Sequence, residues 1–147
     1  MVIKLVVGAV VGLIIALIAG LIFRRLRKRK LNHKYYQIKW RNLQKLCSNK
    51  KLWYQAIIDA DELLDEALKK RKIRGKTMGE RLVSAQRIFT DNDKLWFGHK
   101  LKKRIIEENY KRLNKGDTIE ALSGFRQALK DLGALKKDIL PGVVDED

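Results

Sequence analysis

The first hydrophobic segment of the chain is long and uninterrupted. Residues from Leu5 to Phe23 include no charged side chain, and as an α-helix they would span roughly 28 Å, close to the hydrocarbon thickness of a bilayer. A cleavable secretory signal is the alternative, but its apolar segment is usually shorter and ends at an Ala-x-Ala type site, which is missing here before the following charges. The pattern predicts an uncleaved transmembrane anchor over residues 1–23.

Small residues recur at every fourth position within this anchor. Gly8, Gly12, Ala16 and Gly20 would form one stripe on a helix otherwise covered by Val, Leu and Ile. Such a stripe lets two helix backbones approach closely in lipid, so these four residues are a candidate helix-dimer face and a homodimer is a candidate state. The alternative is that the glycines are incidental, since glycine is common in membrane helices.

The next apolar positions follow a helical period on an otherwise basic segment. No Pro or Gly occurs between residues 21 and 52, so we expect this segment to continue directly from the anchor as a polybasic juxtamembrane helix over residues 24–51. Ser48-Asn49 offers a break and a cap at its end. The stripe consists of Tyr36, Trp40, Leu43 and Cys47.

Four further apolar stripes predict helices between residues 52 and 135, and no alternating strand pattern competes with them. The predicted fold class is all-α, with a single N-terminal transmembrane helix and an antiparallel four- to five-helix bundle. Residues 136–147 are expected to be a flexible acidic tail. In chain order, the stripes are Trp53, Ile57, Ala60, Leu64, Ala67 and Leu68; Met78, Leu82, Ala85 and Phe89; Trp96, His99, Ile106, Tyr110 and Leu113, with Leu101 and Ile105 beside them; and Ala121, Leu122, Phe125, Ala128, Leu129 and Leu132.

Capping signals predict where these helices begin and end. The first should stop near Gly75, and Thr77 with Glu80 has the form of a capping box for the second. Residues 90–93 should separate the second helix from the third, which should run to about Asn114 and end at Lys115-Gly116. For the last helix we expect Asp117 as the N-cap, Glu120 three residues on, and Gly133 at the end.

Positive charge is concentrated beside the anchor. Residues 24–51 contain twelve Lys or Arg and no acid, whereas past residue 51 the excess of cations over acids is 20 − 17 = 3. By the positive-inside rule the C-terminal domain should face the cytoplasm across the plasma membrane, with the N-terminus outside. The predicted partner of this collar is the anionic headgroups of the membrane. Its residues are Arg24, Arg25, Arg27, Lys28, Arg29 and Lys30.

The acidic and nucleophilic side chains are not spaced as in a metal site or a catalytic site. The acids of the first bundle helix are interpreted as a solvated face with four-residue acid-base pairs, Asp65 with Lys69 and Glu66 with Lys70, rather than as metal ligands. A single Cys47 suits a reducing compartment and lacks a base partner. His99, next to Trp96, is interpreted as a packed or hydrogen-bonded residue. We predict no catalytic residue, no cofactor and no metal site. The acids in question are Asp59, Asp61, Glu62, Asp65 and Glu66.

Two basic clusters lie within the bundle region and could form a phosphate-binding surface with Trp53 or Trp96 nearby. Charge runs of this kind are more often solvated helix faces, so nucleic acid is the less favoured partner. The candidate nucleic-acid patch consists of Lys69, Lys70, Arg71, Lys72, Arg74, Lys76, Lys100, Lys103 and Arg104.

Motifs over residues 40–135 resemble small bacterial single-pass membrane proteins with a HEPN-like helical-bundle domain. They are residues 61–65 (DELLD), 76–82 (KTMGERL), 95–96 (LW), 99–101 (HKL) and 128–133 (ALKDLG). The resemblance implies a bundle of four to five helices. Some HEPN proteins are metal-independent ribonucleases with an Arg, four to six residues and a His on a late helix, but here Glu107 occupies the place of that histidine.

The sequence therefore predicts a membrane-tethered, cytoplasmic helical interaction or scaffold module without catalytic activity, bound to an unknown protein partner. The alternative is a membrane-tethered, HEPN-like RNA- or nucleotide-binding module. Binding that falls steeply with salt would favour the alternative.

Overall fold

The structure is a computed structural model that describes the backbone of residues 1–26 and 30–138, and the side chains of residues 1–22 and 30–138. Within these ranges the chain forms α-helices and no strand, which confirms the all-α fold class with one N-terminal apolar helix and a bundle-like packing of the others. A short 3-10 helix, Lys50–Leu52, precedes the third α-helix. The α-helices are α1 (Val2–Leu26), α2 (His33–Leu46), α3 (Trp53–Lys70), α4 (Met78–Ser84), α5 (Asn92–Glu107) and α6 (Lys115–Asp131).

The first helix is long and apolar enough to cross a membrane. Its apolar part, Val2–Ile22, has 21 residues, none of which is buried by the rest of the protein. A core helix of a water-soluble domain would bury one side, whereas α1 exposes Val, Leu and Ile all around. Val2–Ile22 therefore has the length and the apolar composition of a membrane-spanning helix.

The sequence predicted one continuous helix from α1 into the next segment. This prediction is wrong, because the chain is not helical at residues 30–32. The Asn32 side chain caps α2 by accepting a hydrogen bond from the Tyr35 N–H at 3.2 Å. Leu31 is buried in the bundle core, which fixes the chain at this point. Local capping and burial of one leucine thus interrupt a helix that contains no Pro or Gly.

The core of the bundle is formed by α2 to α6, with α3 in contact with all four of the other helices. The predicted stripes of α2, α3, α4 and α6 are buried almost completely. The juxtamembrane helix therefore belongs to the bundle, since it contributes Tyr36, Trp40 and Leu43 to the core. From α3 to α6, each helix ends with a C-cap residue whose backbone N–H donates to a carbonyl of the last helical turn.

The boundary between α5 and α6 differs from the prediction. The α5 helix ends at Glu107, seven residues before the predicted Asn114, because Asn109 adopts a left-handed conformation with φ 51°. Asn114 instead caps α6 by accepting a hydrogen bond from the Asp117 N–H at 2.7 Å, so Lys115-Gly116 starts that helix and Asp117 is not its N-cap. Ile106, predicted to be buried, is 56% exposed.

The predicted capping box of α4 is present in a modified form. The Thr77 hydroxyl accepts from the Glu80 N–H at 3.2 Å, and the Glu80 carboxylate accepts from the Lys76 N–H at 2.7 Å, one residue before the expected amide. Gly133 follows α6 with φ 79°, as predicted for a helix C-terminus. The segment before α4 contains no helix, because α3 ends at Lys70, before Gly75.

Candidate functional site

A groove with a basic lining lies where the chain from α1 enters the bundle. Its volume is about 520 Å³. We call it the basic groove and define it by its lining residues, Lys30, Leu31, Asn32, Lys69, Lys70 and Lys72. Residues 30–32 come from the linker before α2, and the other three come from the C-terminal end of α3. The groove therefore joins one residue of the predicted membrane collar to three residues of the predicted nucleic-acid patch.

Two of the groove lysines are held by acids of their own helix. Lys69 Nζ lies 2.9 Å from Asp65, and Lys70 Nζ lies 3.0 Å from Glu66. These are the four-residue acid-base pairs predicted from the sequence, which are thus confirmed. The Lys70 ammonium also lies 4.8 Å from the centre of the Tyr35 ring, within the range of a cation–π contact. Lys70 therefore has a defined position at the groove wall.

The tyrosines behind Lys70 keep their protons at neutral pH. Burial, and a hydrogen bond from the Tyr35 hydroxyl to Glu66 at 3.1 Å, raise the pKa of Tyr35. Burial and the nearby Glu66 charge raise the pKa of Tyr36 to about 12. The hydrogen bond to Glu66 raises the pKa of Lys70 above its ordinary value. The groove lysine is accordingly cationic and the phenols are neutral over the physiological range.

Lys72 occupies an unusual backbone position. Its φ is 58°, and it follows α3 at the place where a helix C-terminus most often has glycine. Its N–H donates to the Lys69 carbonyl at 2.9 Å, and the Ile73 N–H donates to the Leu68 carbonyl at 3.0 Å, so the turn is a Schellman motif. A side chain at this left-handed position costs roughly 1 kcal/mol relative to glycine. The fold thus keeps a lysine at the groove where glycine would be less strained.

A second polar site joins α3 to α5. Asp61 was interpreted as part of a solvated acidic face, but it is only 1% exposed. One carboxylate oxygen lies 2.7 Å from His99 Nδ1, and the other lies 3.4 Å from Lys102 Nζ. This hydrogen bond joins the imidazole to the carboxylate and so links α5 to α3. The hydrogen-bonded role predicted for His99 is confirmed, and Trp96 packs edge-on against the imidazole at 5.8 Å between ring centres.

His99 also faces a cleft of about 380 Å³ between α5 and the start of α4. Its other ring nitrogen, Nε2, would be 3.9 Å from a Cβ atom at Gly79. An imidazole held by a carboxylate can accept a proton at Nε2, which is the geometry of a general base. The one hydroxyl in the cleft lining, that of Thr77, is used to cap α4. The cleft is lined by Thr77, Met78, Gly79, His99, Lys102, Lys103, Ile106 and Glu107.

The remaining residues of the predicted nucleic-acid patch are divided between several environments. Arg71 is partly buried and donates to the Leu132 carbonyl, and burial lowers its pKa. Lys103 lines the cleft, and Arg104 pairs with Glu108 at 3.4 Å and lies over the Tyr110 ring. Both predicted stacking partners, Trp53 and Trp96, are partly buried against the core. The sites defined by the basic groove and the cleft therefore share no lining residue.

The other residues named from the sequence have structural surroundings or are not described. Cys47 is partly buried, its thiol donates to the Leu43 carbonyl at 3.5 Å, and burial raises its pKa. In residues 1–26 and 30–138 no group of three or more His, Cys, Asp or Glu side chains could hold a metal ion. The collar residues Arg24, Arg25, Arg27, Lys28 and Arg29, and tail residues 139–147, lie outside the described side chains.

Sequence reasoning missed the Asp61 network and the composition of the basic groove. A signal for the first was available, because Asp61 falls with Ile57, Leu64 and Leu68 on a four-three-four spacing that marks one buried face. The groove has no such signal, since it depends on the position of residues 30–32 against the end of α3. Comparisons of the chain with protein-family profiles, with curated proteins and with solved structures give no significant match.

Proposed function

We propose that the protein is a single-pass membrane-tethered interaction module whose helical bundle lies in the cytoplasm and has no catalytic activity of its own. The observation that carries this proposal is that Val2–Ile22 of α1 is strongly apolar and none of it is buried, while the bundle core is formed without it. A helix of this kind is stable in a bilayer and would aggregate in water. Tethering is therefore the function that the geometry supports best.

The orientation rests on charge. Only Lys4 and the amino terminus carry positive charge before the apolar stretch, whereas six cations follow it within seven residues. Positive charge next to a membrane helix is retained on the cytoplasmic side, so the bundle should be cytoplasmic and the N-terminus outside. In a bacterial cell, as the HEPN-like resemblance implies, the membrane would be the plasma membrane.

A recess between α2 and α3 is the candidate binding site for a partner protein. The recess has a volume of about 440 Å³ and is lined by leucines of both helices and by acids of α3. The leucines suit apolar side chains and the acids suit cations, so the chemistry favours a basic, amphipathic segment of a partner. The lining residues are Tyr35, Lys39, Asn42, Leu43, Leu46, Asp59, Glu62, Leu63 and Glu66.

A second candidate function is a tethered, HEPN-like RNA- or nucleotide-binding module. Its support is the cleft, where Lys102 and Lys103 share the lining with His99 and could contact a phosphate. Glu107 in the same lining, and the pairing of Lys102 with Asp61, both reduce the positive charge available there. We therefore place this function second.

Cysteine labelling of the full-length protein in intact cells tests tether and orientation together. The native thiol is a poor probe because it is partly buried with a raised pKa. We therefore replace it with Cys47→Ser and introduce single cysteines at two exposed positions, Val2→Cys and Ser123→Cys. An impermeant maleimide should label the first variant in intact cells, and should label the second only after permeabilisation. Both variants should remain in the membrane pellet after carbonate extraction.

The reverse labelling pattern would refute the cytoplasmic orientation, and release of both variants by carbonate would refute the tether. Ser84→Cys, also exposed and on a different helix, is the matched control. It should behave as Ser123→Cys does if the bundle lies on one side of the membrane.

A further inference from the structure

We propose that the basic groove binds the headgroup phosphate of anionic lipids in the membrane that α1 spans. This inference rests on the proposed function, since it needs α1 in a bilayer. It assigns Lys69, Lys70 and Lys72 to the membrane surface rather than to nucleic acid, and adds Lys30 and Asn32 to the same site. The ligand chemistry is a phosphate ester with at least one negative charge.

Chain connectivity places the groove close to the lipid. Four peptide units separate Leu26, the last residue of α1, from Lys30, and four residues of extended chain reach at most roughly 14 Å. Leu31 is buried in the bundle core, so Lys30 is fixed to the bundle on one side and tied to the membrane helix on the other. Lys30 therefore cannot lie farther than this from the end of α1, which would stand at the headgroup layer in a membrane.

The groove lining contains lysines that are paired with acids and lysines that are not. Lys69 and Lys70 are paired with Asp65 and Glu66, which holds their side chains in place and offsets their charge. Lys30 and Lys72 make no ion pair within the part of the chain that the structure describes. The groove thus keeps an excess of positive charge on two side chains, one from each wall. A phosphate between them would contact both walls at once.

Asn32 adds a hydrogen-bond donor to the lining. Its carbonyl oxygen accepts from the Tyr35 N–H to cap α2, which leaves the side-chain NH₂ group for a ligand. Two cations and an amide donor suit an oxygen-rich, singly or doubly charged headgroup. They do not favour the choline headgroup of a zwitterionic lipid, whose own cation would meet the lysines.

A purely structural explanation accounts for part of the cluster. Cations near a helix C-terminus interact favourably with its dipole, which suffices for Lys69 and Lys70. It does not explain Lys72, because a side chain in the left-handed position is strained and glycine there would satisfy the same turn. Nor does it explain Lys30, which belongs to a different segment. The arrangement is therefore better explained by a ligand that both residues contact.

Nucleic acid fits the groove less well than lipid. Sequence-independent binding of single strands uses aromatic faces on which bases stack. The groove lining contains no aromatic residue, and the Tyr35 ring beside Lys70 has the ammonium groups of Lys39 and Lys70 at 5.6 and 4.8 Å from its centre. Because these two ammonium groups already contact the Tyr35 ring, a nucleic-acid base could not stack on it. The groove therefore offers contacts for phosphate but no surface for base stacking.

The test uses the full-length protein in a neutral detergent and follows bundle unfolding by tryptophan fluorescence, since all three tryptophans lie outside α1. Short-chain phosphatidylglycerol or phosphatidic acid should raise the midpoint of thermal unfolding in a dose-dependent way, and short-chain phosphatidylcholine should not. The Lys30→Gln/Lys72→Gly double variant should bind the anionic lipid about thirtyfold more weakly. Its unfolding midpoint without lipid should be unchanged or higher, because glycine relieves the strain at residue 72.

The matched control is Lys100→Gln/Lys115→Gln, which removes the same charge from two exposed lysines elsewhere in the bundle. It should keep the wild-type response. Equal weakening in this control, or an equal response to phosphatidylcholine, would overturn the proposal in favour of net charge or of apolar contact. Saturation by inorganic phosphate alone would identify a free-phosphate site, and tighter binding of a single-stranded RNA oligonucleotide through the same lysines would assign the groove to nucleic acid.

These outcomes are separate from failure of the proposed function. If α1 does not anchor the protein, carbonate extraction in the labelling experiment releases it. If the anchor holds but the groove proposal is wrong, the protein stays in the membrane and the lysine variants bind anionic lipid as wild type does.

Discussion

At the scale of single residues, Asp61 and Asp65, one turn apart on α3, form polar contacts with two different helices. Asp61 is shared by His99 and Lys102 and so fastens α3 to α5. Asp65 accepts a hydrogen bond from Arg81 Nε at 2.7 Å and so fastens α3 to α4. Arg81 also donates to the Gly75 carbonyl at 2.8 Å, which secures the loop between those helices. One buried and one part-buried polar contact thus tie α3 to α5 and to α4.

The Asp65–Arg81 pair should make the bundle sensitive to acid. Burial raises the pKa of Asp65, but hydrogen bonds and charge from Arg81 and Lys69 outweigh burial and leave the pKa below its ordinary value. A carboxyl whose pKa is lower in the folded state stabilises the fold above its unfolded pKa of about 3.9, and this stabilisation is lost as the pH falls through the folded pKa. We expect Arg81→Met to lower the free energy of unfolding by about 2 kcal/mol at neutral pH, and by clearly less at strongly acidic pH.

Urea unfolding followed by tryptophan fluorescence at the two pH values measures this difference. Lys69→Met is the control, because Lys69 contacts the same carboxylate but is largely exposed, so its removal should cost well under 1 kcal/mol. An equal loss for Arg81→Met at both pH values would show that packing, and not the charge of Asp65, accounts for the effect.

Single residues also show where sequence reasoning reached its limit. The pairs between Asp65 and Lys69 and between Glu66 and Lys70 were predictable, because they depend only on helical spacing. Arg81 and Asp61 were not predicted to be buried, because their burial depends on which helices pack together. A charged residue on an apolar stripe indicates that the residue is buried against another helix. Which residue it pairs with depends on the tertiary fold.

At the scale of helices, residues in the left-handed conformation decide the boundaries. Gly133 after α6 was predicted, because glycine is the usual residue at that position. Asn109 after α5 and Lys72 after α3 were missed, since both residue types are also common inside or beside helices. The apolar period continued past Glu107 to Tyr110 and Leu113, and the period alone therefore gave a helix that was too long. Leu113 is nevertheless buried, from the loop rather than from the helix.

The contact between α5 and α6 depends on one glycine in each helix, Gly98 in α5 and Gly124 in α6. A Cβ atom added at Gly124 would lie 2.6 Å from the backbone carbonyl of Lys94, and one added at Gly98 would lie 2.8 Å from the Phe125 ring. Backbone cannot move aside as a side chain can, so we expect Gly124→Ala to lower the free energy of unfolding by about 2 kcal/mol. Urea unfolding of the full-length protein in detergent measures this change.

The same substitution elsewhere in α6 provides the control. A Cβ atom at Gly116 meets nothing nearer than 3.4 Å, so Gly116→Ala should be neutral or should stabilise the bundle by up to about 1 kcal/mol. If both alanine variants unfold at the same urea concentration, close approach of α5 and α6 does not limit stability.

At the scale of the whole molecule, the fold class and the apolar N-terminal helix could be predicted and the groove could not. The apolar helix is a local property of composition, and the bundle follows from apolar stripes on its helices, which can be read without knowing which helices pack together. The groove brings Lys30 next to residues about forty positions later in the chain. That proximity depends on the break at residues 30–32, which the absence of Pro and Gly had concealed. The groove consequently contains residues from two groups that the sequence had assigned to different partners.

The whole molecule also has a surface that no part of its own bundle covers. Gly8, Gly12 and Gly20 of α1 would each have nothing within 4 Å of an added Cβ atom, so the small-residue stripe, with Ala16, is open to a second helix. Because association in lipid depends on close backbone packing, we expect Gly12→Ile to weaken self-association of α1 in a membrane-reporter assay of the full-length chain. Val10→Ile is the control, since it adds bulk about 160° away around the helix and should associate as wild type does. Equal association of all three proteins would show that the glycines are incidental and that any self-association uses another surface.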